Sequence, residues 1–234
     1  MAYITCKDLA LGYDGKAIVT GLNFEINQGD YLCIVGENGT GKSTLIKTLL
    51  QLTSAMGGEI IMGDGLKAYE IGYLPQQTVV QKDFPATVWE VALSGTLSHL
   101  GRRPFYGKAE KQLAKEKLSE LGMWDLRKAC YRNLSGGQQQ RTLLARALCA
   151  TSKIILLDEP VTGLDPKVTS EFYQIIKELN DKGITVIMVS HDLQALSYAS
   201  HILHIAPNGS YYGTREQYMK QDIAKRFLQW GGQE

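Results

Sequence analysis

The sequence has no run of about 18 apolar residues, so it predicts no helix that spans a bilayer. It has no marked excess of either charge. Its 25 Lys and Arg against 24 Asp and Glu give a formal net charge of +1, which provides no general pull toward nucleic acid or anionic lipid. The four cysteines, Cys6, Cys33, Cys130 and Cys149, are scattered, with no C-x-x-C pair. Cys33 and Cys149 lie in apolar runs. Core thiols in a reducing cytosol are therefore expected, rather than a zinc site or a disulfide set. The opening Met-Ala-Tyr-Ile-Thr-Cys lacks the charged and apolar regions of a secretory leader, and none is expected. There is no internal repeat and no second phosphate-type loop, so one chain offers one such site. The 234 residues fit one domain, 1–234, with an inserted subdomain, and suffice for an ordinary core.

What is present centres on Gly36-Glu37-Asn38-Gly39-Thr40-Gly41-Lys42-Ser43, followed by Thr44. It fits G-x-x-x-x-G-K-[ST], the phosphate-binding P-loop. The preceding Tyr31-Leu-Cys-Ile-Val35 reads as a buried strand. The segment from Lys42 to Leu52 reads as a helix with Leu45, Ile46 and Leu49 on one face. Glycines between a strand and a helix N-terminus let the backbone take φ > 0 and bring successive N–H groups close to an anion. In that setting Lys42 reaches the β- and γ-phosphates and the Ser43 hydroxyl ligates Mg²⁺.

The rest of the chain reads as a mixed α/β pattern. Residues Ala2 to Tyr31 are β-like, with strict alternation in Leu22-Asn-Phe-Glu-Ile26. Tyr13 sits in the turn-rich Leu11-Gly-Tyr-Asp-Gly15, and taken alone it reads as a packing residue. Short strands are expected over Gly57–Gly63 and Glu70–Leu74. An apolar helix is expected from Thr87 to Leu100, ended by Gly101-Arg-Arg-Pro104. A second helix, Lys108 to Leu121, has Ala114, Leu118 and Leu121 on its apolar side and a solvated charged face. These make a helical insertion over about 82–133. Next come a helix over Gly137–Ala150, a strand Lys153–Leu157 without alternation, as expected for one buried on both faces, and a helix over Pro166–Asn180 with its stripe on Val168, Phe172, Ile175 and Leu179. A strand over Ile184–Val189 follows, then a strand over His201–Ile205 and a turn at Pro207-Asn-Gly209. Ser210-Tyr-Tyr212 and an amphipathic helix to about Leu228 complete the pattern.

Four polar groups fall just beyond expected core strands. They are the P-loop after Val35, Gln76 after Leu74, Asp158-Glu159 after Leu157, and His191 after Val189-Ser190. In a mostly parallel α/β sheet, ligands bind outside the carboxyl ends of strands. Asp158 suits a Mg²⁺-binding carboxylate, and Glu159 suits the base that polarises an attacking water. Gln76 can touch the metal or its water, and His191 can hydrogen-bond a γ-phosphate. Leu134-Ser135-Gly136-Gly137-Gln138 opens a helix with Ser135 as a natural cap. This is a second anion site that one chain's single P-loop leaves unmatched.

Together these motifs resemble the ATP-binding subunit of an ABC transporter. The resemblance covers essentially the whole chain, with Leu134 to Gln138 as its most specific element. It implies a P-loop NTPase core with a mostly parallel sheet, an N-terminal antiparallel β subdomain and an inserted helical subdomain. It further implies that Tyr13 stacks on adenine and that Gln76 links the nucleotide to the insertion. Gly163, Leu164 and Asp165 would lie across a dimer interface. Two copies would pack head to tail, each ATP lying between one P-loop and the partner's Ser135 to Gln138, in a self-complementary pair. Phe84, Trp89 and Leu93 follow Gln76, where the family presents a groove to a short helix of its membrane partner.

The finer resemblance is to zinc/manganese-type metal importers. It rests on Ile71-Gly-Tyr-Leu-Pro-Gln76, Arg132–Gly137, Asp158–Pro166, Tyr198–His204 and Tyr211-Tyr-Gly-Thr214. It implies an ATP- and Mg²⁺-dependent ATPase at the cytoplasmic face of the membrane. That ATPase would be docked on a separate permease, with a solute-binding protein as an indirect partner and no nucleic acid. The other class consistent with the motifs is a soluble ABC ATPase of an assembly or repair machine. A long coiled-coil insertion would mark a repair ATPase, and there is none. A regulator without turnover would lack Glu159 and His191. His201 and His204, three residues apart in a strand, should point to opposite faces and form no joint metal site.

Overall fold

The structure, a computed structural model, describes residues 2–13, 15–76, 83–206 and 209–230, with only the backbone for 229 and 230. Lys82, Pro207 and Asn208, used above to bound the insertion and one turn, lie outside the described residues. The chain divides into two compact units. One comprises Met1–Ala68 with Thr185–Glu234, the other Tyr69–Ile184.

In the first unit β1 (Ala2–Tyr13), β2 (Lys16–Asn27) and β4 (Gly57–Met62) form an antiparallel sheet ordered β2-β1-β4. The alternation of β2 is realised: Leu22, Phe24 and Ile26 are buried, while Asn23 and Glu25 are exposed. β3 (Tyr31–Val35) is buried at all five positions. It lies between parallel partners, β7 (Thr185–Val189) and β8 (His201–His204). A strand paired on both edges and covered on both faces needs no polar alternation. β9 (Tyr211–Thr214) runs antiparallel to β8.

Helix α1 (Lys42–Leu49) buries Leu45, Ile46 and Leu49, as the spacing predicted. It stops short of Leu52 because Gln51 takes a left-handed φ of 56° and the Leu52 amide bonds back to the Lys47 carbonyl at 2.8 Å. The expected C-terminal helix is two helices, α8 (Arg215–Met219) and α9 (Asp222–Trp230), and α7 (Leu193–Tyr198) follows β7. Thr214 starts α8 through a capping box with Gln217.

In the second unit β5 (Ile71–Leu74) and β6 (Ile154–Asp158) pair in parallel, Leu74 opposite Leu157. The long helix expected over Thr87–Leu100 is instead α2 (Val88–Ser94) and a single turn, α3 (Leu97–Leu100). The break has a packing cause. A Cβ on Gly95 would lie 2.0 Å from the Arg146 carbonyl oxygen, so α2 ends where it presses on a neighbouring helix. The Thr96 hydroxyl then bonds the Leu93 carbonyl at 2.8 Å. That neighbour is α5 (Gly136–Ala150), and α4 (Lys108–Glu120) precedes it.

α4 buries Ala114 and Leu118, with Leu121 just beyond its end, as expected. The charge run is not entirely solvated, however. Glu110 is buried, pairs with Arg103 at 2.5 Å and accepts from the Gly107 amide at 2.7 Å. A carboxylate three residues into a helix satisfies an orphan amide there, which composition does not reveal. On α6 (Pro166–Asp181) the buried face is Thr169, Phe172, Tyr173, Ile176 and Leu179. The expected stripe through Val168 and Ile175 is therefore off by a fraction of a turn, and both are half-buried.

Candidate functional site

The first unit carries the phosphate loop and His191. β3 and β7 are parallel, with Ile34 opposite Val189, so the loop after β3 and His191 after β7 leave the same end of neighbouring strands. Ser190, between Val189 and His191, is buried, and its amide donates to the Ile34 carbonyl at 3.2 Å. His191 itself is exposed. Gly36, Gly39 and Gly41 have φ of 147°, 80° and 102°. Gly36 also has no room for a side chain, since a Cβ would lie 2.3 Å from the Ile205 carbonyl oxygen.

Within the loop, the Lys42 ammonium is buried and donates to the Gly36 carbonyl at 2.6 Å and to the Glu37 carbonyl at 2.8 Å. The Thr40 hydroxyl donates to the same Glu37 carbonyl at 2.9 Å. These bonds hold the loop's curvature without a ligand. No side chain caps α1, so its first-turn amides and its dipole face the loop. Glu37, Asn38, Gly39 and Ser43 are exposed at its mouth. The Thr44 hydroxyl bonds the Tyr13 hydroxyl. This brings Tyr13, 47% exposed at the end of β1, to the base of α1.

The second unit carries Gln76, Asp158 and Glu159. Asp158 is the last residue of β6 rather than the first beyond it, and is buried. Glu159 follows with φ 47°, a left-handed conformation that a residue with a Cβ adopts only under local constraint. The Gln76 side-chain amide donates to Glu159 Oε2 at 2.7 Å. The two strand ends thus bring together residues 83 apart in sequence.

Two contacts here were not anticipated. The Tyr73 hydroxyl donates to Asp158 Oδ2 at 3.5 Å, and the Thr162 hydroxyl donates to Glu159 Oε2 at 3.4 Å. Burial, with the Asp158 charge adding to it, pushes the Tyr73 phenol up to about 12, so it stays a donor. The available signal for Tyr73 is a hydroxyl-bearing aromatic inside a short, otherwise apolar strand.

Ser135 caps α5 through a reciprocal box, its hydroxyl accepting from the Gln138 amide at 3.3 Å and its amide donating to Gln138 Oε1 at 3.0 Å. Packing crowds both glycines, Gly137 the more severely. A Cβ on Gly136 would lie 2.9 Å from Leu164 Cδ2, and one on Gly137 2.5 Å from Val168 Cγ1. The Leu134–Gln138 turn is thereby seated on Leu164 and Val168. Asp165 in turn caps α6 by accepting from the Lys167 and Val168 amides at 3.1 and 3.0 Å.

The same unit has a groove of ≈ 580 Å³ whose lining includes Phe84, Glu90, Val91, Tyr106, Leu143 and Arg146. Phe84 is 56% exposed. Trp89 and Leu93 are not in its lining. Leu93 is core, packed with Ala114 and Cys149, and Trp89 leans on that cluster and meets Trp124 edge-on at 5.9 Å.

The two tail histidines diverge as strand parity requires. His201 stacks on Tyr212 at 5.8 Å and lies 3.7 Å from Asp30. His204 is buried, with Nδ1 2.8 Å from the Tyr218 hydroxyl. Cys6, Cys33 and Cys149 are buried, and desolvation pushes each thiol up to about 12, the behaviour of core thiols. No helix among the described residues is long and apolar enough to cross a membrane.

Comparison with known proteins agrees with this arrangement. Residues 19–162 match the family model described as ABC transporter. The chain is 40% identical over 194 residues to the manganese transport system ATP-binding protein MntB of Bacillus subtilis, covering 82% of this chain and 78% of the relative. It is 37% identical to the zinc transport system ATP-binding protein TroB of Treponema pallidum, covering 83% and 74%. Against AdcC, the zinc transport system ATP-binding protein of Streptococcus pneumoniae, identity is 33% over 89% and 92%. Among solved structures, one described as a metal-chelate type ABC transporter in an inward-facing conformation superposes with a TM-score of 0.87. Its identity is 27%, over 97% of this chain and 89% of that one.

Proposed function

The chain belongs to the ABC transporter family and is an ATPase, and from that premise we propose that it is the motor subunit of an importer for zinc, manganese or a related divalent metal. The cargo reading rests on the manganese and zinc systems for which its relatives are named. The hydrolytic reading is carried by one observation, the Glu159 carboxylate held by the Gln76 amide at 2.7 Å beside the buried Asp158.

In this reading the loop Gly36–Ser43, with Thr44, holds the phosphates through its amides. Lys42, already aimed along the loop by two carbonyls, compensates phosphate charge, and Tyr13 turns its exposed ring to the adenine. Ser43, Asp158 and Gln76 offer the hard oxygen donors that suit Mg²⁺. The Gln76 amide nitrogen is engaged by Glu159, which leaves its carbonyl oxygen for the metal or its water. When bound, Mg²⁺ neutralises charge on the phosphate oxygens. Glu159 accepts the proton of the attacking water, and Gln76 and Thr162 fix its carboxylate. His191 donates to the γ-phosphate.

The exposed Ser135 and Gly136, with Leu134, Gly137 and Gln138 behind them, close on the ATP of a second copy in a head-to-tail homodimer. Gly163, Leu164 and Asp165 lie across that interface. The groove beside Phe84 docks a helix of a separate permease, which places the chain peripherally at the cytoplasmic face of the membrane. A solute-binding protein is then an indirect partner, and the chain works as one ABC ATPase domain, 1–234, with the helical insertion over about 82–133.

The test is Glu159→Gln, which keeps size and hydrogen bonding but removes the base. Turnover should fall by about 10²–10⁴-fold, and an ATP-bound dimer should accumulate with rising ATP, because ligand that binds only the closed pair stabilises it by mass action. Adding Ser135→Arg should undo the trap. Size-exclusion chromatography in Mg-ATP reads both. A Glu159→Gln chain that stays monomeric at saturating ATP, or turns over at the parent rate, removes Glu159 from this role.

A further inference from the structure

The groove in the unit Tyr69–Ile184 has a charge pattern that specifies its occupant, and this inference rests on the docking reading above. Among the described residues, two charged side chains are in its lining, Glu90 and Arg146. Glu90 is already compensated. Its Oε2 accepts from the Thr87 amide at 2.8 Å and the Thr87 hydroxyl at 2.7 Å, closing the capping box of α2. Those bonds hold its carboxyl below the usual range, and the positive end of α2 offsets its charge further.

Arg146 is different. Among the described residues its guanidinium has neither an ion pair nor a hydrogen-bond acceptor. Its backbone lies where α2 and α5 approach closely, since a Cβ on Gly95 would fall 2.0 Å from its carbonyl oxygen. The phenol of Tyr131, also in the lining, cannot neutralise it, since burial pushes that group up to about 12 despite the opposing pull of Arg146.

An apolar segment seated over Phe84, Val91, Tyr106 and Leu143 would strip water from this guanidinium and return nothing. We propose that the groove takes an amphipathic helix of the membrane subunit that carries an Asp or Glu on its apolar face, and that this carboxylate pairs with Arg146. The apolar contacts supply affinity, and the pair sets register and rejects helices with a cation at that place.

The probe is a set of three stapled amphipathic helices, alike except for Glu, Gln or Lys at the centre of the apolar face. Binding to the full chain is read by fluorescence anisotropy. The Glu helix should bind about fivefold better than the Gln helix, the ratio given by ~1 kcal/mol for a partly exposed pair, and the Lys helix worst. Arg146→Lys should keep that order, Arg146→Gln should flatten it and Arg146→Glu should reverse it. Far-UV circular dichroism and the unfolding midpoint establish that each variant folds. Phe84→Ser should weaken all three helices alike.

If Phe84→Ser weakens them but Arg146→Glu leaves the order unchanged, the charge assignment falls and the docking reading stands. If Phe84→Ser changes nothing, or no helix binds the parent, the docking reading falls and takes the assignment with it. Arg146-dependent binding to phosphatidylserine vesicles, with no preference among the helices, would instead assign the arginine to the lipid surface.

Discussion

His204 should make this protein acid-labile, by an amount that can be worked out. Its ring is buried beside Tyr218 and meets Phe227 edge-on at 5.4 Å. Burial, with the Lys42 charge adding to it, lowers its pKa from 6.5 to about 4. The unfolded chain therefore binds a proton that the folded chain refuses. For a base depressed on folding, the stability is whole above 6.5, falls as the pH drops through the unfolded value, and levels off below about 4. The full loss is about 3 kcal/mol, and at pH 5 about 2 kcal/mol of it is already gone.

The perturbation is His204→Gln, which keeps an acceptor for the Tyr218 hydroxyl but does not titrate. At pH 7.5 the replacement should cost about 1–2 kcal/mol through imperfect packing and hydrogen bonding. At pH 5 that difference should shrink by about 2 kcal/mol, so that the variant is as stable as the parent or more so. Urea unfolding at the two pH values measures it, and the parent's melting point should fall by about 4–8 °C more than the variant's. Parallel pH profiles for parent and variant would refute the argument, because a histidine titrating near its ordinary value in both states contributes no slope.

Two further outcomes follow from packing and charge. Lys42→Ala should weaken ATP binding itself, measured by equilibrium dialysis, and give no trapped dimer even when combined with Glu159→Gln, because phosphate charge is left uncompensated. Gly137→Ala gains about 1 kcal/mol of helix propensity but puts a Cβ 2.5 Å from Val168 Cγ1, a stiff β-branched side chain. We expect a net loss of about 1–2 kcal/mol in the unfolding midpoint, recovered in part by adding Val168→Ala.

The sequence exposes most of what local pattern controls. The P-loop, the buried strands β3, β6 and β7, and the placing of Gln76, Glu159 and His191 after strands all follow from periodicity and motif. What escapes it is set by contacts between distant segments. The helix expected over 87–100 breaks because Gly95 meets α5. Leu93 is core because α4 and α5 close over it, while its neighbour in the expectation, Phe84, stays exposed. The α6 stripe is misplaced by a fraction of a turn because amphipathicity fixes a face only to within about one residue. Glu110 sits buried in a charge run because Arg103 and a helix-start amide receive it. Tyr73 and Thr162 lie in stretches that carry the family resemblance, but no periodicity or spacing foretells their bonds to Asp158 and Glu159. Even the glycines of the Ser135 turn have a reason beyond bare amides, since Leu164 and Val168 occupy the space that side chains would need.

The seating of Gly36 on the Ile205 carbonyl bears on how the chain is made. β3 has β7 on one edge and β8 on the other, and both come from after residue 184. On the ribosome, the strand that launches the phosphate loop thus emerges early and waits with both edges open. At about 5–20 residues per second, roughly 8–30 s separate the emergence of Lys42 from that of Ile205. Until then the first glycine of the loop has no carbonyl to rest on. Nucleotide capture is a property of a chain grown past residue 205, and an apolar strand with two open edges is what a chaperone would need to cover in the meantime.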